Sequence, residues 1–142
     1  MSKWINTWLM GITVFCLVII GYLAFVPPEA PLIYTGGDAV HPEKVKPGEW
    51  INVTRHYRVT REEKLVIVRR MRKGDCHTGC TLVDLLPSNI IVKPGEYVGT
   101  RGLQVPASVS TGQWFLEFQI HWEDRIGRTQ IIYSPVLSLE IA

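Results

Sequence analysis

No charged residue occurs between Lys3 and Glu29, and this gap limits what the chain can fold into more than any other feature of its sequence. Apolar residues dominate from Leu9 through Ile20 and on through Tyr22, Leu23, Ala24 and Phe25 to Val26. A helix rises about 1.5 Å per residue, so about 20 apolar residues cover a hydrocarbon core of about 30 Å. The run predicts a transmembrane anchor helix over residues 4–26, behind a short inside tail of residues 1–3. Trp4 and Trp8 at one end and Tyr22 at the other suit the membrane interfaces, where an amphipathic ring can be half wet. A cleaved signal peptide opens in the same way. Here, however, the apolar run exceeds the usual length and ends in Pro27-Pro28-Glu29-Ala30-Pro31, which offers no small-x-small pair in good register. Thr13-Val14-Phe15 is too bulky for lipoprotein processing at Cys16, which leaves that thiol inside the anchor.

Orientation follows from the basic groups nearest the membrane. Lys3 and the free amine lie on the N side, whereas Lys44 and Lys46 lie well beyond the C side. Together with the short tail and a cysteine pair in the C-terminal part, this predicts a single-pass protein with a cytoplasmic N-terminus. The C-terminal domain is then periplasmic or extracellular.

Past the anchor, Pro27, Pro28 and Pro31 cannot continue a helix and favour extended backbone. Residues 27–36 therefore read as a Pro-rich linker and residues 37–142 as one domain, the number expected for a chain of 142 residues. Charged residues at 20% and hydrophobic residues at 46% describe a globular chain rather than a disordered one. Short β-type runs separated by turn signals fill the domain, and no amphipathic helix of useful length appears. The clearest run is Trp114 to Trp122, in which Trp114, Leu116, Phe118, Ile120 and Trp122 alternate with more polar neighbours. Trp50 to Thr60 alternates likewise, with Ile51, Val53, Tyr57 and Val59 inward and Arg55 expected to snorkel. Leu65 to Met71, Thr81 to Leu86, Ile90 to Val92 and Tyr97 to Val105 follow, and Pro135 should bend a last strand from Thr129 to Ile141.

One motif occurs twice: Val45-Lys46-Pro47-Gly48-Glu49-Trp50 returns as Val92-Lys93-Pro94-Gly95-Glu96-Tyr97. Pro then Gly suits the two central positions of a type II turn, so each copy should feed a strand that opens on an aromatic residue. These Pro-Gly turns, Thr111-Gly112-Gln113-Trp114 opening a long alternating strand, and a closing C-terminal strand together resemble an immunoglobulin-like or fibronectin-III-like sandwich. The resemblance covers Gly37 to Ala142 and implies an all-β fold of about seven or eight strands behind one transmembrane helix. A lone domain of this kind on an anchor also resembles small accessory proteins of bacteria and their phages.

Cys76 and Cys80 flank His77-Thr78-Gly79. The pair fits a disulfide that fixes a turn, free thiols, or a zinc site completed by His77 and one of His41, His56 or His121. The disulfide reading goes with the oxidising compartment expected for the domain, and no metal or other cofactor is expected. Catalysis has little support, because no serine sits in a Gly-x-Ser-x-Gly elbow and no Gly-rich loop precedes a helix. No enzymatic activity is expected.

Charge is uneven behind a net +2, since Arg55, Arg58, Arg61, Lys64, Arg69, Arg70, Arg72 and Lys73 fall within one stretch read as a hairpin. Such a patch could meet anionic lipid or an acidic surface, or serve only as a solvated face that blocks edge-to-edge pairing. Nucleic acid is the partner least suited to a domain outside the cytoplasm whose aromatics are spent on a core. The expected role is a membrane-anchored interaction module that touches lipid through its helix and presents its sandwich to a protein partner or an anionic surface. The alternative is a structural subunit of a multi-chain membrane or virion assembly.

Overall fold

The computed structural model describes residues 2–26 and 28–142. Met1, in the expected tail, and Pro27, the first residue of the expected linker, lie outside them. Two compact units are present, one comprising residues 1–29 and 123–128 and the other residues 30–122 and 129–142.

The first unit contains the helix α1 (Ser2–Phe25) of 24 residues, none of them buried. It is long and apolar enough to cross a membrane. The Thr7 and Thr13 hydroxyls donate back to Lys3 O and Leu9 O, each at 2.9 Å, so the two threonines of the helix expose no unmet donor. At the C-terminal end, where carbonyls lack intrahelical partners, the Arg128 guanidinium donates to Leu23 O at 3.0 Å and Ala24 O at 3.2 Å. Arg128 is itself held by Asp124 Oδ2 at 2.8 Å.

The second unit is a β-sandwich. One sheet is built on β4 (Trp50–Val59), flanked on one side by the short strands β1 (Leu32–Tyr34) and β2 (Ala39–His41) and on the other by β7 (Gly95–Gln104). The other sheet runs β3 (Lys44–Val45), β10 (Leu137–Ile141), β8 (Gly112–Glu123), β5 (Glu63–Lys73), β6 (Thr81–Val92), with β9 (Thr129–Tyr133) also on β8. β10 with β8, β8 with β5 and β5 with β6 pair antiparallel, as do the strands of the first sheet, whereas β3 runs parallel to β10.

The described residues thus form ten strand segments, more than the seven or eight expected, with β1 and β2 both along β4 and β9 and β10 both along β8. The interruptions have local causes. Gly36 and Gly37 take φ of 94° and 81°, and Pro135 lacks the N–H a ladder needs. The domain also starts earlier than its expected boundary at Gly37: Leu32, Ile33 and Tyr34 pair with Val59, Arg58 and Tyr57, so part of the expected linker is a strand. Proline at position 31 is compatible with this because only its carbonyl is used, accepting from Thr60 N at 2.8 Å.

Both copies of the repeated Pro-Gly motif carry the chain from one sheet to the other. Val45 lies beside β10 and Trp50 opens β4, while Val92 ends β6 and Gly95 opens β7. In the first copy Gly48 has φ 86° and Glu49 N donates to Lys46 O at 3.2 Å, the expected tight turn. The strands they feed pair with each other along their length, and Tyr57 stacks on Tyr97 at 5.5 Å between ring centroids.

Alternation fills the space between the sheets with two separate apolar clusters. Val53, Ile51, Met71, Trp114, Leu116 and Leu139 belong to the larger, and Leu32, Val59, Leu65, Val92, Ile120 and Trp122 to the smaller. Polar groups occupy the gap.

Candidate functional site: an arginine-lined cavity between the sheets

Three arginines stand on inward-facing positions where the two clusters part. Arg55 on β4 is opposite Gly99 of β7, Arg101 of β7 is opposite Val53, and Arg69 of β5 is opposite Phe118 of β8. They line a cavity of about 390 Å³ together with Tyr34, Tyr57, Phe118 and aliphatic side chains such as Ile67, Ile90 and Leu103. That volume falls at the small end of the range for ligand pockets, about 300–1,000 Å³.

Arg55 does not snorkel, contrary to the expectation from the strand pattern. It is 7% exposed. Its Nη1 donates to Asp38 Oδ2 and to Pro135 O, both at 2.8 Å, while Asp38 Oδ1 accepts the His56 backbone N–H at 2.8 Å. The guanidinium lies 4.5 Å from the Phe118 centroid and 5.8 Å from that of Tyr34. A charge beneath the sheet cannot reach water there, so an ion pair and aromatic faces replace hydration. Arg55 Nε and Nη2 are buried without a partner among the described residues.

Arg69 is also 7% exposed, but no carboxylate faces it among the described residues. One donor, Nη1, reaches Leu86 O at 3.1 Å. That carbonyl is free because the pairing of β5 with β6 slips between Ile67 and Arg69, where Val68 alone on β5 faces Leu86 and Pro87 on β6. Pro87 supplies the reason, since it lacks the N–H of a regular ladder and confines the strand to a bulge. The sequence breaks at this proline into Thr81 to Leu86 and Ile90 to Val92; β6 instead runs through it. Arg69 shares the Phe118 ring with Arg55, at 5.7 Å. Burial lowers its pKa from the ordinary arginine value, and the neighbouring Arg101 lowers it further.

Arg101, exposed, makes only a long contact to Ser88 Oγ at 3.4 Å among the described residues. Burial pushes the Tyr34 hydroxyl up to about 12, with Arg55 opposing the shift and Asp38 and Tyr57 adding to it. Among the described residues the cavity lining thus holds three guanidiniums and no carboxylate, Asp38 pairing with Arg55 from outside it.

The basic stretch does not form one patch. Arg55 and Arg58 lie on β4 and Lys64, Arg69, Arg70, Arg72 and Lys73 on β5, and these strands belong to different sheets rather than to a hairpin. Alternation sends Arg55 and Arg69 inward. Of the others, Arg58 meets Glu96 at 3.1 Å, Arg61 meets Glu63 at 3.5 Å, Arg70 meets Asp84 at 2.7 Å and Arg72 meets Glu117 at 2.6 Å. Arg61 also covers the Trp122 ring at 4.9 Å, and Lys73 reaches Ser110 Oγ at 3.1 Å. Lys64 is exposed. Cys76 and Cys80 are bridged in the turn between β5 and β6. Their thiolates are therefore not free for zinc, and no group of three His, Cys, Asp or Glu side chains able to hold a metal occurs among the described residues. Trp4, Trp8 and Tyr22 are exposed on α1, Trp4 and Trp8 in its first two turns and Tyr22 in its last.

The class defined by this architecture is a two-sheet β-sandwich with a half-open, mainly apolar cavity that carries three arginines, together with an apolar N-terminal helix. No protein-family model and no curated protein matches the sequence. Solved structures match its chain path. The sporulation control protein Spo0M from Bacillus subtilis aligns at TM-score 0.47 and 9% identity, over 80% of this chain and 50% of that one. Pseudomonas fluorescens alkylpurine DNA glycosylase AlkC, bound to DNA containing an abasic site analog, gives 0.50 and 13%, over 86% and 33%. The C-terminal domain of wzt gives 0.50 and 13%, over 85% and 84%. The chain spans half the length of the first and a third of the second. At such identities the likeness is one of fold alone.

Proposed function

We propose that the protein is a membrane-anchored interaction module: α1 crosses the bilayer, the N-terminus is cytoplasmic, and an immunoglobulin-like sandwich stands outside the cytoplasm facing a protein partner or an anionic surface. The observation that carries this reading is that α1 combines 24 residues of apolar helix with no buried residue, a state that water does not tolerate and lipid does. The Cys76–Cys80 bridge supports an oxidising compartment. Strand order supports the immunoglobulin-like assignment, with β4 between β1/β2 and β7 in one sheet and β8 between β10 and β5 in the other. Anchoring concentrates the module at one surface, which raises the effective concentration for any partner held there.

The test is fractionation of the native protein with carbonate washing, followed by protease treatment of sealed vesicles or spheroplasts. Retention in the membrane with digestion only from the outer side is expected. Release as a soluble chain beginning near Ala30 overturns the anchor, and protection of the domain overturns the orientation.

A further inference from the structure

We propose that the cavity between the sheets is a binding site for a small anionic amphiphile, a carboxylate or phosphate head on a short apolar body, with Arg69 and Arg101 taking the head. This does not depend on what α1 does.

Arg69 is the observation that requires it. Arg69 is 7% exposed as a residue, makes one hydrogen bond, to a backbone carbonyl, and has no carboxylate opposite among the described residues, while its remaining donors open onto the cavity. A cation held against apolar walls in this way favours a group of opposite sign in front of it. Arg101, whose charge acts on Arg69, lines the same cavity and likewise has no acidic partner among the described residues. Asp38 offsets Arg55 alone, so the wall carries an excess of two positive charges.

The rest of the wall selects the body of the ligand. Ile67, Ile90, Leu103 and the Phe118 face are apolar, and a hydrophilic anion such as sulfate would leave them wet. Planar guanidiniums bind carboxylate and phosphate through paired parallel N–H donors, which suits a head with two or more oxygens. Tyr34 stays neutral far above physiological pH and adds no negative charge against an incoming anion.

The experiment uses the full chain in phosphatidylcholine nanodiscs, titrated calorimetrically with octanoate, octyl phosphate and octanol, with empty nanodiscs subtracted. Octanoate and octyl phosphate should bind saturably, one per chain, and octanol roughly tenfold or more weakly, because a hydrogen bond to a charged partner is worth at least that factor. Arg69→Met should weaken octanoate by a similar factor and Arg101→Gln by several-fold, whereas Arg58→Gln, outside the cavity, should bind as the parent does. Arg101 is exposed, so its variant carries the test even if Arg69→Met fails to fold. Equal binding of octanol and octanoate, absence of saturable binding, or indifference to both cavity substitutions overturns the proposal. Repeating the titration in nanodiscs containing phosphatidylglycerol separates the two sources of such a head. Competition with octanoate assigns it to a membrane lipid, and unchanged binding assigns it to a free amphiphile.

Discussion

Asp38 and Arg55 form a 2.8 Å ion pair with side chains 3% and 8% exposed, and through it the breaks between β1 and β2 and between β9 and β10 are tied together. Asp38 follows the Gly36-Gly37 interruption between β1 and β2, and the same Arg55 Nη1 reaches Pro135 O in the interruption between β9 and β10. Irregular backbone leaves the Pro135 carbonyl without a ladder partner and sets the Asp38 carboxylate near it, and one buried guanidinium serves both sheets.

Removing one member of that pair should therefore cost far more than a surface ion pair. Asp38→Ala is expected to lower unfolding free energy by about 3–5 kcal/mol, because it leaves Arg55 charged and buried. The double variant Asp38→Ala with Arg55→Met should recover a large part of the loss. Urea denaturation of the four species gives the coupling energy, and additive losses would contradict the pairing.

Arg58 and Arg70 belong to the same basic stretch, but they are surface residues whose pairs with Glu96 and Asp84 are partly or largely exposed. Replacing either by Gln should change stability by no more than about 1 kcal/mol. A loss as large as that of Asp38→Ala would mean that burial does not govern these cations.

Tyr34 gives the domain a pH dependence at the alkaline end. Its folded pKa of about 12 lies above the unfolded value near 10, so the folded state holds the proton more tightly. The resulting stabilisation is complete below pH about 10 and is lost as pH rises toward 12, amounting to roughly 2 kcal/mol. Tyrosinate absorbance should show one phenol titrating late, and Tyr34→Phe should remove it and flatten stability between pH 10 and 12.

Thiol counting checks the bridge. Denatured protein from an oxidising compartment should show one alkylatable cysteine, Cys16, before reduction and three after it. Reduction should destabilise the domain by only about 2 kcal/mol, since the closed loop is short. Three reactive thiols before reduction would exclude the bridge.

What the sequence determined is local. An uncharged apolar run makes a helix whatever follows it, and period-two alternation identified β4 and β8 and their inward faces, Trp114, Leu116 and Ile120 among them. Proline and glycine marked the turns for reasons of backbone geometry. The same alternation implied that Arg69 and Arg70 face opposite ways, so Arg69 could have been suspected as an inward charge. Tertiary structure alone decided which sheet each strand joins. Arg55 to Lys73 is continuous in sequence, yet β4 and β5 part at Thr60–Glu62 and pair elsewhere, so a basic run became two buried guanidiniums and several surface ion pairs. The cavity was hidden for the same reason: Arg55, Arg69 and Arg101 come from three strands in two sheets, and strand pairing depends on contacts between residues far apart in the chain that no local pattern encodes.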